Sequence, residues 1–219
     1  MNFKLRLATT FILCVILHIN ARCQKERYNE VADTSKKVFY FEPFDKNDLM
    51  WSPGSEGKSL GEIKDGVYTW RSLYQGARIT YNSFVFPLDS SFEIEALIRF
   101  NSGDSTSLCG LVWGYENAKK CYVFGFNNMG SLKSYKSEDT LTIYKPWQKT
   151  AFYRKNDWNK LTIRRIDDYT TCYLNEQLVA RIPYEPFFDR KIGFMVAPRS
   201  EISIDWLKIS ILKIKKSYD

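Results

Sequence analysis

Glu93 and Glu95 stand two residues apart in the run SFEIEALIRF (91–100) and are the first candidates for acid–base chemistry. Residues at i and i+2 of a strand share a face. Two carboxylates placed this way would form a pair, and mutual repulsion would raise one pKa. The commoner arrangement is two solvated strand glutamates. Nucleophilic chemistry has less to work with. His18 is the single histidine of the chain, and it falls in an amino-terminal segment expected to be removed. A mature chain without histidine cannot build a Ser–His–Asp or Cys–His site, or any histidine-containing metal site.

A second constellation suits binding rather than catalysis. The stretch YKPWQKTAFYRKNDW (144–158), read as a loop, sets Tyr144, Trp147, Phe152 and Tyr153 among Lys145, Gln148, Lys149 and Arg154. Sugar recognition needs flat aromatic faces for pyranose C–H surfaces and polar groups to fix the hydroxyls. Trp147, after Pro146 and between polar residues, has the strongest claim to exposure; the competing reading folds it back over one end of the domain. The candidate ligand-binding set is Trp147, Tyr144, Tyr153, Arg154, Asn128 and Tyr135, with Lys133 and Lys136 nearby, although asparagines beside Gly130 also serve as turn formers. No catalytic residue and no metal ligand is assigned. Asp45, Asp48 and Asp205 are the only oxygen donors considered for Ca²⁺, and no fixed-spacing loop supports them. No cofactor is expected, with Ca²⁺ the one alternative.

The elements that must position these residues begin after residue 23. MNFKLRLATTFILCVILHINARC has a basic start, an apolar run from Ala8 to Ile19 and a polar end, the pattern of a secretory signal and too short for a good membrane span. Residues 1–23 are therefore read as a signal peptide, 24–37 as a polar leader and 38–219 as one domain. The protein is expected to be exported (secreted, periplasmic or cell-surface), and Arg22 argues against a lipid anchor at Cys23. The whole chain carries 32 basic and 25 acidic residues. Loss of Lys4, Arg6 and Arg22 lowers the formal charge from +7 to +4, too mild and scattered for nucleic acid. Cys109, Cys121 and Cys172 remain. Cys121 and Cys172 could bridge if their strands were neighbours; otherwise all three are small buried hydrophobes.

Helical periodicity is missing, and short β-branched and aromatic runs alternate with turn formers. Strands are expected at 38–43, 66–73, 77–86, 91–100, 107–115, 121–127, 131–135, 160–166, 170–174, 177–182, 191–197 and 201–214. So many strands without helices point to an all-β, two-sheet antiparallel jelly-roll sandwich. Five tryptophans, Trp51, Trp70, Trp113, Trp158 and Trp206, sit in or beside strands and read mainly as core. Leu161 and Ile163 should face inward, with Thr162 and Arg164 on a wet face. Lysines of the last strand, ILKIKK, read as protection of an exposed edge or as a contact for an acidic partner.

The ordered signatures DGVYTW, SFEIEALIRF, GLVWGYENAKKCYVFGFNNMGSLKSYK, DWNKLTIRR with TTCYLNEQLV, KIGFMV and EISIDWLKI resemble the concanavalin A-like lectin/glucanase jelly rolls, especially laminin G-like and keto-disaccharide hydrolase-like exported bacterial domains. The resemblance covers most of 39–211. It implies a sandwich and, in the glucanases, three acidic residues at alternate strand positions that cleave sugars. Here Leu97 stands where the third carboxylate would be, and no hydrolase residue set can be placed on the chain. The expectation is an exported, non-catalytic domain that recognises carbohydrate or glycoconjugate through an aromatic rim or a sheet face. A protein-interaction module and a glycoside-active enzyme of the same fold are the alternatives.

Overall fold

The computed structural model describes residues 28–214. The signal segment 1–23, the start of the leader and residues 215–219 lie outside the described residues. Among the described residues no helix is long and apolar enough to cross a membrane.

Two antiparallel sheets face each other. The first has nine strands, in the order β13 (Gln177–Pro183), β12 (Tyr169–Leu174), β11 (Asn159–Ile166), β6 (Phe92–Ser102), β15 (Glu201–Leu212), β4 (Val67–Ser72), β3 (Ser59–Lys64), β2 (Gly54–Ser55), with β1 (Lys36–Glu42) also on β15. The second has six, in the order β10 (Thr140–Lys149), β9 (Ser131–Glu138), β8 (Lys120–Phe126), β7 (Cys109–Asn117), β14 (Lys191–Val196), β5 (Arg78–Ser83). This is the jelly-roll sandwich that the alternation of apolar residues implies.

Strand alternation builds the core. Phe92, Ile94, Ala96, Ile98 and Phe100 of β6 point inward with Leu161, Ile163 and Cys172, and meet Leu111, Phe124, Ile192 and Phe194 of the other sheet. Each such large side chain removed from water contributes roughly 1.5–3 kcal/mol. In β15 the inward parity changes from Ile202 and Ile204 to Leu207 and Ile209, because the register shifts between Ile204 and Trp206. Asp205 is the residue at that shift. On the same edge of β15, β4 pairs with residues 201–204 and β1 with residues 207–212.

The segment around Trp158 is held by side-chain amides. Asn159, fully buried, accepts from the Arg154 N–H (2.9 Å) and donates to the Arg154 and Asp157 carbonyls. Asn175 accepts from the Lys160 N–H and donates to the Phe152 carbonyl. With φ of 48° at Asn175 and 68° at Glu176, the β12–β13 turn has the two positive-φ residues of a tight hairpin.

Several expectations change. The supposed loop around Trp147 is largely strand β10: it lies at the sheet edge, where Pro146 costs no ladder bond, and Pro and charge there mimic a loop. Strand β15 is central rather than an edge and ends at Leu212, so of the lysines of ILKIKK Lys213 follows the strand and Lys215 and Lys216 lie outside the described residues. Trp51, Trp70 and Trp113 belong to the core, whereas Trp158 and Trp206 are half-buried outside it, beneath Arg99 and Lys208 respectively. All three cysteines are free and buried. Cys121 and Cys172 do not bridge: Cys121 lies in the outer cluster with Val112, Val123 and Met195, whereas Cys172 lies in the core between the sheets.

Candidate ligand-binding face

The two glutamates that raised the possibility of catalysis lie on the outer face of the nine-stranded sheet, and they are not solvated. Glu93 is 0% and Glu95 1% exposed. Their cross-strand neighbours on β11 are Arg164 and Thr162, also completely buried, so this face is not wet. Arg164 Nε donates to Glu93 Oε2 at 2.6 Å, and Lys36 Nζ lies 2.8 Å from Glu93 Oε1. Lys208 Nζ lies 2.6 Å from Glu95 Oε2.

The cover is Tyr28. Its hydroxyl donates to Glu95 Oε1 at 2.8 Å and accepts from Lys160 Nζ at 2.9 Å, while its carbonyl accepts from Arg164 Nη1. The ring sits edge-on to Tyr173 with the Arg164 guanidinium 4.7 Å from its centroid. Burial and the neighbouring Glu95 raise the Tyr28 hydroxyl pKa, so it stays a donor. Burial alone would raise Glu95; the ammonium groups of Lys208, Lys160 and Lys36 outweigh it and hold the carboxyl at about 2. Glu95 is therefore ionised, and both carboxylates are matched to cations. Part of the leader thus belongs to the folded domain, with Tyr28 and Val31 buried and β1 starting at Lys36.

The outer face of the six-stranded sheet is different. Directly opposed residues on neighbouring strands point the same way, which defines two rows across it. One runs Ile79, Met195, Gly110, Gly125, Lys133; the other runs Tyr81, Gly193, Val112, Val123, Tyr135, Ile143. Side chains are missing from the middle of the first row. A Cβ on Gly110 would lie 2.4 Å from the Phe124 carbonyl oxygen and one on Gly125 2.1 Å from that of Cys109. At Gly114, φ is 59° and the β7–β8 register shifts. Between Trp113 and Asn117 β7 carries two more residues than the facing part of β8, and in this bulge Tyr115 lies on the outer face, its ring 4.8 Å from Tyr81.

Trp147, 42% exposed, stands at the β10 side of this face. It shares a recess of about 370 Å³ with Lys133, Tyr135, Leu141, Leu108 and Met195. Lys133 Nζ is 5.5 Å from the Tyr135 centroid and 5.8 Å from that of Trp147. Tyr135 donates to Met195 Sδ at 3.8 Å, and burial raises its hydroxyl to about 12. Cys121 lies under the same face in an apolar cluster with Val112, Val123 and Met195; burial raises its thiol to about 11.

Of the six candidate residues the structure brings together Trp147 and Tyr135. Tyr144 points elsewhere: it packs against the core and donates to Glu185, which also accepts from Lys136 at 2.5 Å. Tyr153 donates to Asn128 Oδ1 at 2.8 Å and rests on Phe126, beside a separate recess of about 450 Å³ lined by Lys149 and Lys155. Arg154 is exposed and is tied to the fold through its backbone. Tyr81 and Tyr115 were not singled out in the sequence. Alternation of β5 would have put Tyr81 opposite the inward Thr80, whereas a regular β7 would have turned Tyr115 inward.

Among the described residues no group of three His, Cys, Asp or Glu side chains is placed to hold a metal ion. Asp45, Asp48 and Asp205 do not form such a group.

No family model and no curated protein matches the chain. Solved structures do. The carbohydrate-binding module CBM66 of Bacillus subtilis superposes with a TM-score of 0.55 at 20% identity, covering 71% of this chain and 91% of that one. The catalytic domain of an endo-1,3-β-glucanase (laminarinase) from Thermotoga petrophila gives 0.55 at 11% identity, over 82% and 99%. A Bacillus subtilis protein of unknown function with a galectin-like fold gives 0.59 at 11%, over 81% and 99%. The fold is a concanavalin A-like jelly roll. At these identities the likeness concerns the fold, and fold alone does not assign chemistry.

Proposed function

We propose that this protein is an exported, non-catalytic carbohydrate-binding domain whose ligand lies on the outer face of the six-stranded sheet. The observation that carries the reading is the open recess in which Trp147 and Tyr135 flank Lys133, with Tyr81 and Tyr115 farther along the same face. Exposed aromatic faces stack on pyranose rings, and a few polar groups fix orientation. Sugar-binding and sugar-cleaving proteins share this fold, which supports a saccharide ligand.

The non-catalytic part rests on the carboxylates. Glycoside cleavage uses two of them flanking one bond. Glu93 and Glu95 are instead held by Arg164, Lys36 and Lys208 beneath Tyr28, and no acidic side chain lines the Trp147 recess.

A glycan array probed with the purified protein and with Trp147→Ala tests the proposal. Binding that disappears in the variant is expected. Absence of binding to every glycan would overturn the function, and binding unchanged by the substitution would overturn the site. Hydrolysis of any polysaccharide in the same panel, lost in Glu95→Gln, would overturn the non-catalytic assignment.

A further inference from the structure

We infer that the ligand of this face is an acidic polysaccharide, one bearing a carboxylate or sulfate within reach of Lys133; this rests on the carbohydrate reading above. Most other half-buried lysines are matched to carboxylates, whereas Lys145 donates to the Gln148 side-chain oxygen. Lys36, Lys136, Lys160, Lys191 and Lys208 each have a carboxylate oxygen within 3.0 Å. Lys133 has none among the described residues. Its ammonium sits between the rings of Tyr135 and Trp147, and it is the one charged side chain lining the recess.

Two ring faces attract a cation but leave its three N–H donors unfilled. The rest of the lining is apolar or carries hydroxyls, as at Ser107 and Ser137, and those hydroxyls already donate to Asp104 and to the Ala118 carbonyl. The ring faces place the cation beside the surfaces on which a sugar would stack. An anionic substituent on that sugar would complete the cation's coordination. Charge-assisted hydrogen bonds are roughly twice as strong as neutral ones, and no carboxylate of the recess would repel the ligand.

The experiment compares polymers that differ only in charge: polygalacturonate with its fully methyl-esterified form, and dextran sulfate with dextran. Binding of the full chain is measured by affinity electrophoresis and titration calorimetry. At least one acidic member should bind about tenfold or more tightly than its neutral counterpart, the size of a hydrogen bond to a charged group. Affinity should fall as salt rises from about 0.05 to 0.5 M, because screening shortens electrostatic reach. Lys133→Gln should remove the preference and Lys133→Arg should keep it. The two polymer pairs distinguish carboxylate from sulfate.

Equal binding of charged and neutral polymers, or a preference that survives Lys133→Gln, overturns the inference and leaves the carbohydrate reading standing. Acidic binding that survives Trp147→Ala also overturns it, since scattered surface lysines would then be responsible. If neither these polymers nor any neutral glycan binds, both readings fall.

Discussion

The outer faces of the two sheets have the same alternating origin and opposite fates. On the nine-stranded sheet, charged residues opposite the core are roofed by Tyr28 and matched to one another. On the six-stranded sheet the corresponding positions are glycine, aliphatic and aromatic, and Trp147 and Tyr81 are left open to solvent. Charge that is buried and matched to opposite charge is structural; aromatic surface that is exposed beside one unmatched cation is available. Polar residues in a sequence are thus a poor guide to where a ligand goes when a distant segment can cover them.

The largest test of that contrast is Arg164→Ala. Removing Arg164 leaves Lys36 as the one remaining cation of buried Glu93 among the described residues and should cost about 3–5 kcal/mol, read from urea unfolding at neutral pH. A loss below about 1 kcal/mol would mean that water reaches this face and that the pairing is ornamental.

Acid should produce the next effect. Glu95 is held at about 2, below the ordinary 4.5. A depressed carboxyl stabilises the fold fully above its unfolded value, and that stabilisation is lost as pH falls from about 4.5 towards 2, on the order of 3 kcal/mol. Unfolding midpoints measured between pH 7 and 2.5 should show this fall, and Glu95→Gln should flatten it.

On the other face the readout is affinity rather than stability. Trp147→Ala should weaken glycan binding by about 2 kcal/mol or more, as truncation of an aromatic anchor does, and change the unfolding midpoint little. The smallest effect is assigned to Tyr28→Phe, which keeps the ring and removes the hydroxyl between Lys160 and Glu95. It should cost about 1–2 kcal/mol of stability and leave glycan affinity unchanged. A large loss of binding in that variant would show that the two faces are not independent.

Most of the fold was readable because periods of two survive in the chain: Leu161 and Ile163, or the even residues of 92–100, announce one buried face. What surrounds the opposite face is not written locally. Glu93, Glu95 and Arg164 alternate as solvated residues would, and the tyrosine that buries them lies 67 positions before Glu95. The binding face was half legible. Trp147 and Tyr135 declared themselves as aromatics among polar residues, but Pro146 disguised an edge strand as a loop. Tyr115 depended on a bulge between Trp113 and Asn117 that only the paired strand reveals. Tyr144 and Tyr153 illustrate the converse: both look like ligand contacts in sequence, and both hydroxyls are committed to Glu185 and Asn128.

Strand β15 has a consequence for the order of events in folding. It joins β6 on one side to β4 and β1 on the other, so the larger sheet consists of three parts, β13–β12–β11–β6, β4–β3–β2 and β1, with no common ladder until residues 201–212 are in place. The first strand of the domain waits for the last. Such distant pairings make folding slow. A chain cut before Glu201 would leave unfinished edges, and its intermediates should be the species most prone to associate with one another.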